Sequence, residues 1–109
     1  MEWSEFTRFI AVEDQRLLAH YGYVDTEKRI LARTVKLTEE VGELCEEVLS
    51  HCAFQRREKL EGKDKDNLPG EFADVVIVAF LLAKTMDVDM VQALSDKMEK
   101  IKTRHYDKA

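Results

Sequence analysis

One proline and four glycines are all the backbone punctuation in 109 residues. A sandwich or barrel of short strands needs a turn about every eight to twelve residues, so this scarcity favours a few long helices. The expected fold class is all-α, a four-helix-type bundle forming one domain over residues 1–109. A domain of this size buries only ~65% of the surface of its unfolded chain. Homo-oligomerisation, as a homodimer or homotetramer, is therefore an expected way of completing the core.

Apolar periodicity divides the chain into four segments. Trp3, Phe6, Ile10 and Leu17 recur at helical steps over residues 3–20, the stripe of a surface helix. Asp25 or Thr26 can cap a second, long helix running to about residue 59, with room to kink or divide. Residues 60–70 gather the only proline and two of the four glycines in a charged stretch, which reads as a loop. A third helix is expected just after Gly70. Residues 75–83 are wholly apolar, and the run reads as a helix buried on all sides. After a break at Asp87-Val88-Asp89, Val91, Leu94, Met98 and Ile101 mark the fourth helix.

The net charge is −5, which argues against a nucleic-acid polymer as partner. The balance is uneven, because residues 97–108 hold five Lys or Arg against two acids. Cys45 and Cys52 lie seven residues apart, too far along one helix for a disulfide, and are expected as reduced core thiols. The start, Met1-Glu2-Trp3-Ser4-Glu5, lacks the pattern of a signal peptide, and no apolar run approaches the ~20 residues of a membrane span. A soluble, cytoplasmic protein with no membrane partner is expected.

The chemistry is concentrated in carboxylates. Glu39, Glu40, Glu43, Glu46 and Glu47 fall within nine residues with no base among them. At about 100° per residue, Leu37, Val41, Leu44 and Val48 form a core stripe, with Glu40, Glu43 and Glu47 along its flank. Like charges at this spacing cost a few tenths of a kcal/mol per pair in water and more when buried. A solvated acidic face explains the helix taken alone. Glu71 and Asp74, three apart, have their own simple reading as first-turn acids complementing the helix dipole by about 0.3–1 kcal/mol. Asp74, however, is expected where the helix enters the core, and a buried carboxylate needs a partner. Two such pairs can converge on one hard cation, and all-oxygen ligation suits Mg²⁺ or Mn²⁺ rather than Zn²⁺. A di-iron bundle would need Glu-x-x-His pairs, and His51 follows Glu47 by four residues, not three.

Thr38-Glu39-Glu40-Val41-Gly42-Glu43-Leu44, followed after a spacer by Glu71-Phe72-Ala73-Asp74, resembles the Glu-Glu-x-x-Glu and Glu-x-x-Asp motifs of the MazG-like all-α nucleoside triphosphate pyrophosphohydrolases. The resemblance covers roughly residues 35–105. It implies cleavage between the α and β phosphates to give a monophosphate and pyrophosphate, clearing unwanted nucleotides. It further implies Mg²⁺ ligation by Glu40, Glu43, Glu71 and Asp74, with Glu39 holding or deprotonating the attacking water.

Lys36 either reaches phosphate, as a lysine there often does in the family, or makes a helical contact with Glu40. Lys97, Lys100 and Arg104 step along one side of the last helix and can bind the triphosphate tail; the alternative is a solvated, dipole-complementing end. Many relatives carry an asparagine in this basic stretch, and residues 97–106 contain none, which weakens any transfer of base specificity. Tyr21, Tyr23 and Trp3 are the aromatics available for stacking on a base, or else core residues. Other functions that fit the residues are a phosphoribosyl-ATP pyrophosphohydrolase-like enzyme and a non-catalytic helical module for nucleotide binding or interaction.

Overall fold

The protein is described here by a computed structural model covering residues 1–22, 25–52 and 67–106. Among these residues there are four α-helices and no strand: α1 (Trp3–Tyr21), α2 (Thr26–His51), α3 (Asn67–Thr85) and α4 (Met90–Lys102). Tyr23, residues 53–59 of the expected second helix, residues 60–66 of the expected loop and Lys108 lie outside the described residues.

The local chemistry of the helix ends is simple. Gly22 ends α1 in the left-handed region (φ 67°), its N–H donating to the Leu18 carbonyl at 2.8 Å, a conformation glycine adopts without steric penalty. The Asp25 carboxylate caps α2 by accepting from the N–H groups of Glu27 and Lys28, and Asp89 caps α4 by accepting from Gln92. Each cap satisfies donors that the first turn cannot. α3 begins at Asn67, earlier than expected, because Pro69 falls in the first turn, where its missing N–H leaves no bond unmade. Glu71 and Asp74 consequently sit beyond the first turn, and the dipole reading of these two acids weakens.

α3 packs along α2, while α1 and α4 touch α3 more briefly. Ile10, Phe80 and Leu81 form the buried core, with Phe6, Leu17, Ile77, Met90 and Leu94 packed against it. Trp3 joins from the edge, stacked on Phe80 at 6.1 Å and edge-on to Phe6 at 6.0 Å.

Three expectations are corrected by this packing. Val41 is exposed while Glu40 and Glu47 are buried, so the face of α2 turned to α3 is rotated towards its acids. Val76, in the middle of the apolar run, is 49% exposed; α3 is covered by α1 and α2 but not on every side. Cys45 and Cys52 are free but exposed, on the outer side of α2 and at its C-cap. No described helix is long and apolar enough to cross a membrane.

Candidate metal centre

The α2–α3 pairing brings together Glu40 and Glu43, one turn apart on α2, and Glu71 near the start of α3. One carboxylate oxygen from each lies within 4.8 Å of the others. Glu40 and Glu71 are buried, and Glu43 is exposed on the open side. Lys36 Nζ, one turn before Glu40, lies 3.1 Å from Glu40 Oε1 and 3.8 Å from Glu39 Oε2. On α3, Asn67 Nδ2 donates to Glu71 Oε1 at 2.9 Å. Each buried carboxylate thus has one paired oxygen.

The other oxygen of each, Glu40 Oε2 and Glu71 Oε2, is buried without a partner. Leaving a charged acceptor unsatisfied costs at least about 1–3 kcal/mol, and a cation relieves it. Glu43 reports the same excess of negative charge. Its carboxyl is held above the ordinary range, first by the charge of Glu40, then by partial desolvation and the charge of Glu71, with Lys36 opposing. The Lys36 ammonium is correspondingly raised, mainly by its hydrogen bond to Glu40 and the charge of that group. Three hard oxygen donors, two with orphaned lone pairs, fit a divalent cation such as Mg²⁺ or Mn²⁺.

The remaining candidates are dispersed. Asp74 is exposed and outside the cluster; it lies one turn beyond Glu71 and about 60° round the helix, on the solvent side of the seam expected to bury it. Glu39, with 58% of its side chain exposed, joins Lys36 at one edge of a groove of about 460 Å³. Leu17, Tyr21, Val35 and Val78 give that groove apolar walls. Lys36 makes the Glu40 contact expected on helical grounds. Lys97 and Lys100 are exposed on α4, and among the described residues α4 makes no contact with α2. Arg104 lies past the end of α4 rather than on it. Of the aromatics, Trp3 belongs to the core edge and Tyr21 to the groove.

Two features went unread in the sequence. Asn67 stands four residues before Glu71, a spacing that would have shown it once the helix was begun at Asn67. Arg33 donates to Asp14 at 2.6 Å, Thr85 Oγ1 at 2.5 Å and the Leu81 carbonyl at 3.1 Å. No local pattern announces partners so distant in the chain.

A family model for the MazG nucleotide pyrophosphohydrolase domain matches residues 27–108, spanning α2, α3 and α4. Uncharacterized protein YpjD of Bacillus subtilis (strain 168) is 36% identical over 78 residues, which is 72% of this chain and 68% of that protein. No solved structure matches. The matched span contains both carboxylate motifs and the helices that bring three of their acids together, and the chain belongs to the MazG nucleotide pyrophosphohydrolase domain family.

Proposed function

We propose that the chain is a Mg²⁺-dependent nucleoside triphosphate pyrophosphohydrolase, with Mn²⁺ an acceptable substitute. It cleaves between the α and β phosphates to release a nucleoside monophosphate and pyrophosphate, removing unwanted nucleotides from the cytoplasmic pool. The observation that carries this reading is the pair of buried, unpartnered oxygens on Glu40 and Glu71, two acids that share one carboxylate cluster with Glu43 across two helices.

Glu40, Glu43 and Glu71 hold the cation, and Asp74, one turn further along α3, completes the set. A Mg²⁺ ion held there would supply neutralisation of phosphate charge and would ease the loss of a proton from the attacking water. Glu39 orients the attacking water and accepts its proton as the new oxygen–phosphorus bond forms, while pyrophosphate leaves with the bridging oxygen. Lys36 stands between Glu39 and Glu40, positioned to turn from the carboxylate to phosphate. The groove beside them has the volume of a small-molecule pocket and an exposed tyrosine, Tyr21, which suit a nucleoside.

The test is pyrophosphate release from a panel of common and modified nucleoside triphosphates, with and without Mg²⁺. Glu40→Gln and Glu71→Gln should abolish turnover, by about 100-fold or more, while the helical circular dichroism signal persists. No turnover of any substrate would overturn the enzyme reading, and nucleotide binding without turnover would favour a non-catalytic module. Activity confined to phosphoribosyl-ATP would assign the chain to that reaction.

A further inference from the structure

We propose that Arg29 reads the nucleobase, so that the groove along α2 selects bases presenting two adjacent hydrogen-bond acceptors: the N7/O6 edge of guanine or the N3/O2 edge of cytosine. This role deepens the proposed reaction and rests on it for the triphosphate.

Arg29, Arg33, Lys36 and Glu40 follow one another at steps of four, three and four residues, one line along α2. The first three line the groove, which adjoins the carboxylate cluster where Lys36 meets Glu40. Two of these cations are already committed. Lys36 is paired with Glu40, and Arg33 donates to Asp14, Thr85 Oγ1 and the Leu81 carbonyl. Arg29 is different. Among the described residues its guanidinium donates from Nη2 to Thr26 Oγ1 at 3.0 Å, and its Nε–H is buried without an acceptor. A guanidinium has two two-pronged edges, Nε/Nη2 and Nη1/Nη2. One Nη2 hydrogen given to Thr26 uses one edge and leaves the other open.

The position of that fork decides what it meets. Arg29 precedes Glu40 by eleven residues, about 16 Å along the helix, and the bond to Thr26 draws its guanidinium further from the cluster. With the α-phosphate at a cation on Glu40 and Glu71, the β- and γ-phosphates fall short of Arg29, whereas a ribose and base in line extend to it. The walls agree with this placement. Leu17, Val35 and Val78 are apolar, and Tyr21 stands 59% exposed beside them, so the faces of a flat ring meet apolar surface while its edge meets the arginine. A guanidinium donates and never accepts, so its fork matches an edge with two adjacent acceptors. Guanine and cytosine have such an edge. Adenine, uracil and thymine do not.

The test compares the wild type with Arg29→Met, which keeps an apolar stem, and Arg29→Lys, which keeps the charge without the fork, each checked for helical content. In wild type, kcat/KM should favour GTP over ATP or CTP over UTP by about tenfold or more, the discrimination of one bidentate arginine–base pair. Both variants should bring the ratios near one, and 7-deaza-GTP, lacking the N7 acceptor, should lose most of any guanine preference. Discrimination in one of the two pairs, lost in both variants, sustains the proposal and names the base. Wild-type ratios near one would overturn it. So would a loss in Arg29→Met that is equal for all bases and restored in Arg29→Lys, which would place Arg29 on phosphate. Calorimetry with α,β-methylene triphosphates, which resist the cleavage, reads the same ratios without turnover. An Arg29-dependent preference in binding, with no hydrolysis of any triphosphate, would keep the base reader and refute the reaction alone. Hydrolysis without such a preference would refute the base reader and keep the reaction.

Discussion

The charge of Glu43 is where the acidic cluster is most easily measured. Glu40 is the largest cause of its raised pKa, so Glu40→Gln should move the Glu43 carboxyl titration, followed by NMR, down towards its ordinary range. An unchanged midpoint would show that repulsion across one helical turn is not the origin. The sign for stability follows. A carboxyl whose folded pKa lies above its unfolded value favours folding fully below the unfolded pKa and loses that contribution as pH rises through the folded pKa. Between neutrality and the ordinary carboxylate range, Glu43 therefore makes the metal-free protein more stable as pH falls. Protons and cation compete for the same oxygens, so stabilisation by Mg²⁺ should be larger at pH 7.5 than at pH 5. At a hundredfold excess over Kd it should reach about 2.7 kcal/mol, a Tm rise on the order of 10 °C for a domain this size. A Mg²⁺ effect on Tm that is equal at the two pH values would contradict this linkage.

Among the elements, α2 carries both the chemistry and the tie between helices. Arg33 on α2 reaches Asp14 on α1 and Leu81 and Thr85 on α3, and its pair with Asp14 is about nine-tenths buried, with side-chain exposures of 11% and 10%. Arg33→Met leaves the Asp14 carboxylate buried without its cation and should cost about 3–5 kcal/mol, read by urea denaturation. Arg33→Met combined with Asp14→Leu should restore most of that stability. A double variant no better than the single one would mean that the arginine acts through packing alone.

The same helix shows what the sequence discloses and what it withholds. Asp25, the Trp3 to Leu17 stripe and the two acidic motifs are local signals, and the structure realises the helices they announce. The phase of α2 is different. Leu37 and Leu44 sit between two possible seams, one completed by Val41 and the other by Glu40 and Glu47. Periodicity prefers valine, whereas packing against α3 buries the acids. A carboxylate that shares its oxygens with Lys36 or a cation can occupy a seam that its hydropathy alone would forbid. The start of α3 was obscured for a related reason, since Pro69 signals a break when read alone and a tolerated first turn when Asn67 precedes it.

At the scale of the whole molecule, the single chain leaves its apolar surfaces unfinished. Phe9, Phe72 and Val76 are exposed along α1 and α3, as are Met98 and Ile101 on α4, a distribution that favours association. The homo-oligomer expected of so small a chain would cover such residues, and Met98 and Ile101 test it. Met98→Asp/Ile101→Asp introduces charges on the exposed half of α4, beyond the turns that Met90 and Leu94 anchor, so the fold of each copy should persist. Sedimentation should find the wild type assembled and this variant monomeric with the same helical content. The wild-type Tm should rise with protein concentration, as mass action requires when only the folded state associates, and the variant's should not.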